Sequence, residues 1–146
     1  ASKNDVPWGD FEALLVEFAA RLEATPGDEP LIEAVRAAVR AFNDVPPEEL
    51  PRHRHRMRIL LTTPDLVAHS TVRYAAWREV IAGFAARRQG TTADATVPQA
   101  LSWACLGISL SAYRRWLDED GDLLAHVDDA FRGLREVFSD VAAETP

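Results

Sequence analysis

Apolar residues along this chain recur every three or four positions, and clusters of Pro and Gly separate the periodic stretches. This spacing places them on one face of a helix, whereas a half-buried strand needs strict alternation, which hardly any segment shows. The pattern therefore predicts an all-α fold of about six helices. The first is capped by Ser2 or Asn4 and ends at the break over residues 25–28. The others are predicted over residues 30–42, 48–62, 64–89, 97–117 and 122–143.

The last two helices carry more apolar surface than the others. Residues 97–117 are apolar on both sides, which predicts a helix buried on both sides, and residues 122–143 gather their apolar side chains on one face. Such a pair can pack on its own core and on a second copy of the chain. The pattern thus predicts a C2 homodimer that forms through a four-helix bundle. The predicted interface residues are Leu110, Leu117, Val127, Phe131, Leu134, Val137, Phe138 and Val141.

Composition indicates one acidic domain. With 146 residues and 47% apolar content, the chain can form one core but not two. Its 16 basic and 23 acidic residues give a net charge of −7, which argues against a DNA-binding face. The single cysteine, Cys105, and the lack of a leader or a membrane-spanning stretch favour a reducing, cytoplasmic setting away from membranes.

The run over residues 52–58 is the only basic cluster of the chain. On a helix, Arg52, His55 and Arg56 share a face that could meet a phosphate or a carboxylate, or simply face solvent beside nearby acids. His53 and His55 diverge too far to ligate one metal, so we expect no metal site. No phosphate loop or nucleophile elbow occurs, and we expect neither an enzyme nor a cofactor.

Aromatic rings provide a second signal, because they lie on the inward faces of several helices. Core packing explains most of them, but a bundle with large rings opposite small residues can leave an apolar cavity. Periodicity predicts that the cavity is lined by Phe11, Leu15, Phe18, Met57, Leu60, Tyr74, Trp77, Ile81, Trp103 and Leu106.

Five segments of the chain resemble a known family. They are SKND (2–5), WGDF (8–11), FNDVPPEE (42–49), HST (69–71) and QALSWACLG (99–107). The first resembles the junction between the helix-turn-helix and the linking helix of TetR-family transcriptional regulators. The others look like the TetR-type regulators of the mycofactocin system, which have an acyl-CoA-type ligand domain.

The resemblance implies that residues 1–146 form the effector-binding and dimerisation domain of a repressor, beginning at the linking helix. The helix-turn-helix would lie upstream of Ala1 and is absent from this chain, so operator DNA is expected as a partner only through that domain. The implied effector is a fatty acyl-CoA or a similar amphiphile, with Arg56, His69 and Arg73 nearest to its head group. The basic run would then transmit the ligand signal.

Two other functions stay open on the sequence. One is a stand-alone module that binds lipids or small molecules and has no DNA role. The other is an all-α enzyme that uses His53, His55 or His69.

Overall fold

The computed structural model describes residues 8–140, which form six α-helices and contain no strand. The helices are α1 (Phe11–Glu23), α2 (Leu31–Phe42), α3 (Leu50–Thr62), α4 (Pro64–Gln89), α5 (Thr96–Glu119) and α6 (Leu123–Ser139). The all-α fold predicted from the periodicity is confirmed. The interface residue Val141 and the predicted helix end at residue 143 lie outside the described residues, as do the predicted caps Ser2 and Asn4. The first helix nevertheless begins later than predicted, because α1 starts at Phe11 with Asp10 at its N-cap position.

Local sequence sets most of the helix ends. Gly90 ends α4 with φ +68°, a left-handed conformation that glycine adopts without steric cost. The Asp122 carboxylate caps α6 by accepting a hydrogen bond from the Leu124 amide at 3.1 Å. A short 3₁₀ turn, Pro47–Glu49, leads into α3. Thr63 precedes α4, and its side chain makes no capping hydrogen bond.

Helix α5 is the central helix of the fold and packs against α3, α4 and α6. One side of α5 buries Cys105, Ile108 and Ala112, and another buries Leu106 and Tyr113, so the predicted two-sided burial is confirmed. Neighbouring helices of the same chain cover most of both sides, although Trp103 near the start of α5 stays exposed. A second copy of the chain is therefore not needed to bury them, which corrects the premise on which the dimer was predicted.

Ion pairs join α2 to α6 at the edge of the core. The Asp128 carboxylate lies 3.1 Å from the Arg36 guanidinium and 2.9 Å from that of Arg40. Glu33 also pairs with Arg135 of α6. These groups are half-exposed, so they orient the two helices more than they stabilise them.

The basic run lies on α3 and holds the C-terminal end of α5. Arg54 donates to the carbonyl oxygens of Trp116 and Leu117 at 2.7 and 2.8 Å, and Arg58 donates to that of Leu117 at 3.1 Å. The Arg54 guanidinium also pairs with Asp120 at 2.8 Å. Cations suit this position because the last carbonyls of a helix have no partner within the helix and carry partial negative charge.

Among the residues that the structure describes, no helix is both long enough and apolar enough to cross a bilayer.

Candidate ligand cavity

A cavity of about 230 Å³ lies where the start of α1, the end of α2, α3 and α5 meet. The loop over residues 43–46 forms one of its edges. A smaller chamber of about 50 Å³ lies beside it and extends to α4. The two spaces share the side chains Phe11, Phe42, Asn43, Met57 and Tyr113. Because Met57 is flexible and adaptable, a modest movement of its side chain could join them.

Aromatic rings form much of the apolar wall. Phe11 contacts Trp8 and Phe42 edge to face, with ring centroids 5.0 and 5.9 Å apart. Trp8 makes the same kind of contact with Tyr74 at 5.8 Å, and Phe42 with Trp77 at 6.2 Å. These geometries are the favoured ones for aromatic pairs, so the rings form a defined wall and not a loose cluster.

A chain of hydrogen bonds runs along the polar wall and links three helices. Arg56 donates to His53 Nδ1 at 2.5 Å, and His53 Nε2 lies 2.8 Å from the Tyr113 hydroxyl. Tyr113 in turn donates to Asn43 Oδ1 at 2.8 Å, and Asn43 Nδ2 donates to the Val39 carbonyl at 2.9 Å. Because Arg56 and Tyr113 both act as donors, His53 must carry its proton on Nε2. The hydrogen bonds are therefore all donated in the same direction, from Arg56 on α3 to the end of α2.

Burial and charge keep the hydrogen-bonded side chains of His53 and Tyr113 in one protonation state. Burial, together with the nearby Arg56 guanidinium, lowers the pKa of His53 to about 4, so its imidazole is neutral near pH 7. Burial also raises the pKa of the Tyr113 phenol, which stays protonated. Three carboxylates, Asp10, Asp44 and Glu49, contribute to the outer lining together with Arg56. The deep part of the cavity is thus neutral, and its charges lie towards the outside.

Three buried polar atoms around these spaces have no hydrogen-bond partner. They are the Tyr74 hydroxyl and the Ser109 Oγ in the small chamber and Trp8 Nε1 in the larger cavity. Burial raises the pKa of the Tyr74 phenol, and the neighbouring Ser70 hydroxyl partly offsets this shift. Ser70 nevertheless donates its own hydrogen bond to the Leu66 carbonyl at 2.6 Å.

The structure brings together six of the apolar side chains that periodicity places around a cavity. They are Phe11, Met57, Leu60, Tyr74, Trp77 and Leu106. Phe18 stacks on Trp77 behind the wall, Leu15 is half-buried against the core, and Ile81 is fully buried in the core. Trp103 is 56% exposed and lies under the Arg78 guanidinium at 3.6 Å, so it faces away from the cavity.

Of the predicted head-group residues, Arg56 alone lines the cavity. The Arg73 guanidinium lies 5.7 Å from the centre of the Trp8 ring, at the outer side of the aromatic wall. His69 is half-buried on α4 and does not contribute to the lining of either space.

The polar lining residues Asn43, Tyr113 and Ser109 are not among the residues that periodicity predicts for the cavity lining. Asn43 lies in a segment that the pattern treats as a turn, and Tyr113 lies on a helix face that the pattern assigns to apolar packing. Their hydrogen bonds join positions up to 70 residues apart. Helical spacing carries no information about such pairs.

A wider groove of about 670 Å³ separates α1 from α2. It opens broadly to solvent and is lined largely by alanines together with Phe18 and Phe42. Although it is larger, the groove lacks the convergent buried polar groups of the inner cavity, which make that cavity the better candidate for a specific ligand.

The predicted interface residues fall into two groups. Val127 and Phe131 are fully buried within the monomer, and Leu117 is almost as well covered. Val137 and Phe138, by contrast, are 67% and 78% exposed, and Leu110 and Leu134 are half-buried. Of the predicted interface residues, only the second group offers apolar surface to another molecule.

The single cysteine and the possible metal ligands offer no further reactive site within the described residues. Cys105 is fully buried, and burial raises the pKa of its thiol to about 12, which leaves it protonated. Within residues 8–140, no three His, Cys, Asp or Glu side chains are placed to hold a metal ion together.

Comparison with known proteins agrees with this helical arrangement. Residues 29–139 match the family described as the MftR C-terminal domain, a TetR C-terminal domain. The chain belongs to the TetR family of transcriptional regulators. It is also 46% identical over 132 residues to the mycofactocin biosynthesis transcriptional regulator MftR of Mycobacterium tuberculosis strain H37Rv. That alignment covers 90% of this chain and 67% of the relative.

The family match spans α2 to α6 and includes most of the cavity wall. The resemblance drawn from the five sequence segments is therefore confirmed at the level of the family and of its MftR-like branch. As a member of this family, the chain is part of a transcriptional regulator.

Proposed function

We propose that the chain is the ligand-sensing and dimerisation domain of a repressor of the mycofactocin system, and that its effector is a fatty acyl-CoA or a similar amphiphile. A DNA-binding helix-turn-helix preceding residue 1 would read the operator. The observation that carries the proposal is the aromatic-walled cavity between α1, α3 and α5 in a chain of this regulator family.

The cavity suits the apolar part of an amphiphile. Its wall of Phe11, Met57 and Leu60 would gain free energy by covering a hydrocarbon chain, at about 25 cal/mol per Å² of buried apolar surface. At about 230 Å³ it lies just below the ~300–1,000 Å³ of common ligand pockets, so a long chain requires it to widen. Displacement of Met57 would join the two spaces and provide part of that volume.

The charged part of the ligand would stay outside. Arg56 and Arg73 are the cations beside the aromatic wall and would face the phosphates of a CoA group. An anion at the same edge would be repelled by the carboxylates of Asp10, Asp44 and Glu49. The head group is therefore expected to contribute little affinity, and the length of the apolar chain is expected to dominate selectivity.

Helix α3 connects this cavity to the rest of the domain. Arg56, Met57 and His53 face the ligand space, while Arg54 and Arg58 hold the end of α5. A ligand that displaces Met57 would push the whole helix, because both sets of side chains belong to it. A repressor would respond if its ligand binds one arrangement of α3 better than the other.

A thermal-shift series tests the proposal. A ligand present at a hundred times its dissociation constant adds about 2.7 kcal/mol to the free energy of unfolding. We expect long-chain acyl-CoA to raise the melting temperature of the chain clearly more than short-chain acyl-CoA, and free CoA to have little effect. Equal shifts with long-chain acyl-CoA and free CoA would refute the acyl pocket.

A pair of variants localises the effect. Met57→Trp fills the ligand space and should abolish the response to long chains. His55→Trp, on the exposed side of the same helix, should leave the response intact. A Met57→Trp protein that still responds like the unmodified chain would place the ligand elsewhere.

A further inference from the structure

The small chamber between α4 and α5 contains two hydroxyl groups that the fold does not use. The chamber is otherwise lined by Trp77, Leu106 and other apolar side chains. The Tyr74 hydroxyl and the Ser109 Oγ are both buried there without a hydrogen-bond partner. Leaving two such groups unpaired is costly, because each loses its hydration on folding and receives nothing in exchange.

Other serines of the same helices show that an internal partner is available to a buried hydroxyl. Ser70 donates to the Leu66 carbonyl at 2.6 Å on α4, and Ser102 donates to the Gln99 carbonyl at 2.7 Å on α5. Buried helical serines commonly satisfy themselves in this way. Ser109 lies on the same helix as Ser102 and does not do so.

The two tyrosines of the chain give the same contrast. The Tyr113 hydroxyl makes hydrogen bonds to both His53 and Asn43 at 2.8 Å, so it is saturated. Tyr74 lies on the chamber wall, and its hydroxyl makes no hydrogen bond of ordinary geometry, although the Ser70 hydroxyl one turn away is near enough to lower its pKa. The polar chain through Tyr113 thus serves the fold, while the groups at the chamber remain available to a ligand.

We propose that the small chamber binds a neutral oxygen function, a hydroxyl or a carbonyl, carried by the apolar part of the ligand. The inference rests on the proposed function in that the same cavity takes the effector. The oxygen would accept or donate hydrogen bonds to Tyr74 and Ser109 while its carbon skeleton lies against Phe11, Phe42 and Met57. A plain hydrocarbon would cover both hydroxyls without pairing them. A charged group would enter a deep, neutral space at a large desolvation cost.

Two isosteric probes test this directly. The compounds p-cresol and p-xylene differ by a hydroxyl in place of a methyl group. A single ring needs a cavity of about 150 Å³, which the chamber of about 50 Å³ provides only together with the adjoining cavity of about 230 Å³. Their dissociation constants would be measured by calorimetry or by the quenching of tryptophan fluorescence. The informative quantity is the ratio of the two affinities in each protein, because it cancels the different hydration of the two probes.

We expect the ratio of p-cresol to p-xylene affinity to fall by roughly tenfold or more in Tyr74→Phe/Ser109→Ala, since about one net hydrogen bond to each group is lost. Ser102→Ala removes a buried hydroxyl of the same helix that lies outside the chamber, and it should leave the ratio unchanged. Tyr74→Phe alone removes only the phenolic oxygen. The affinity ratio is measured in this variant if the double variant folds poorly.

The outcomes separate this inference from the proposed function. An unchanged ratio in the chamber variants, an equal fall in Ser102→Ala, or no binding of either probe would overturn the oxygen-binding chamber. A ratio that falls as expected, in a chain that shows no response to long-chain acyl-CoA, would support the chamber and refute the acyl-CoA effector. A response to long-chain acyl-CoA with an unchanged ratio would support the acyl-CoA effector and refute the oxygen-binding chamber.

Discussion

His53 is the residue whose pKa is lowered by both burial and a neighbouring positive charge. It is almost fully covered, lies beside the Arg56 guanidinium and passes a hydrogen bond to Tyr113 in its neutral form. A proton added to Nδ1 would face a cation and break the bond from Arg56. Neutral histidine is therefore part of the folded structure, and its chemistry belongs to packing rather than to catalysis.

This environment predicts a pH dependence of stability. The pKa of His53 is about 4 in the folded chain and 6.5 when it is exposed, so the unfolded chain takes up the proton first as the pH falls. The contribution to stability is complete above pH 6.5 and is lost as the pH falls from 6.5 towards 4. Between pH 7.5 and pH 5 the loss should be about 2 kcal/mol, measured by urea unfolding at each pH.

Two variants isolate that contribution from those of the carboxylates. His53→Gln should be less stable at pH 7.5 and should show a smaller loss of stability on going to pH 5. His55→Gln, whose side chain is exposed on the same helix, should keep the pH dependence of the unmodified chain. The same slope in all three proteins would contradict the assignment.

Helix α3 is the element whose sequence is most easily misread. Six of the seven residues over 52–58 are arginines or histidines. They look like a solvated or ligand-binding face, but the fold divides them among different tasks. Arg54 and Arg58 hold the end of α5, Arg56 and His53 line the cavity, and Arg52 is exposed.

Removing the contact between α3 and α5 should be costly. Arg54→Ala deletes hydrogen bonds to the Trp116 and Leu117 carbonyls and a stacking contact with the Trp116 ring at 4.8 Å. We expect a loss of about 1.5–3 kcal/mol in the free energy of unfolding, the usual range for hydrogen bonds from a charged donor. Arg52→Ala should change stability by less than about 0.5 kcal/mol. Chemical denaturation of both variants checks this, and equal effects would show that the carbonyl contacts contribute nothing.

At the scale of the whole molecule, apolar side chains remain exposed on several helices, and those on α5 and α6 bear on the predicted dimer. Val137 and Phe138 on α6 and Trp103 on α5 are more than half exposed, although both faces of α5 are buried elsewhere along its length. This surface lies on the two helices that the sequence pattern assigns to a dimer. The predicted homodimer therefore depends on a few exposed residues rather than on an uncovered helix face.

A charge at the centre of that surface should prevent association. Phe138→Glu would leave an unpaired carboxylate in a dry interface, so this variant should sediment as a single chain of 16.2 kDa at micromolar concentration. The unmodified chain should sediment at twice that mass. Val72→Glu places the same charge at an exposed apolar position of α4, 68% accessible, and should remain a dimer. An unmodified chain that sediments at 16.2 kDa would refute the dimer.

The sequence by itself determined the helices, their approximate ends and the burial of α5 on two sides. It could do so because helical period, proline and glycine are local properties of the chain. It also placed Phe11, Met57 and Trp77 on inward faces, and the five quoted segments indicated the family.

Only the tertiary structure decided which inward residues meet at a cavity and which fill the core. Ile81 and Trp77 lie one turn apart on α4, yet only Trp77 reaches the cavity, because the angle between packed helices selects among residues of one face. The hydrogen-bonded chain from Arg56 to Asn43 and the unpaired hydroxyls of Tyr74 and Ser109 likewise arise from contacts between distant helices. A sequence specifies such contacts only through the complete fold.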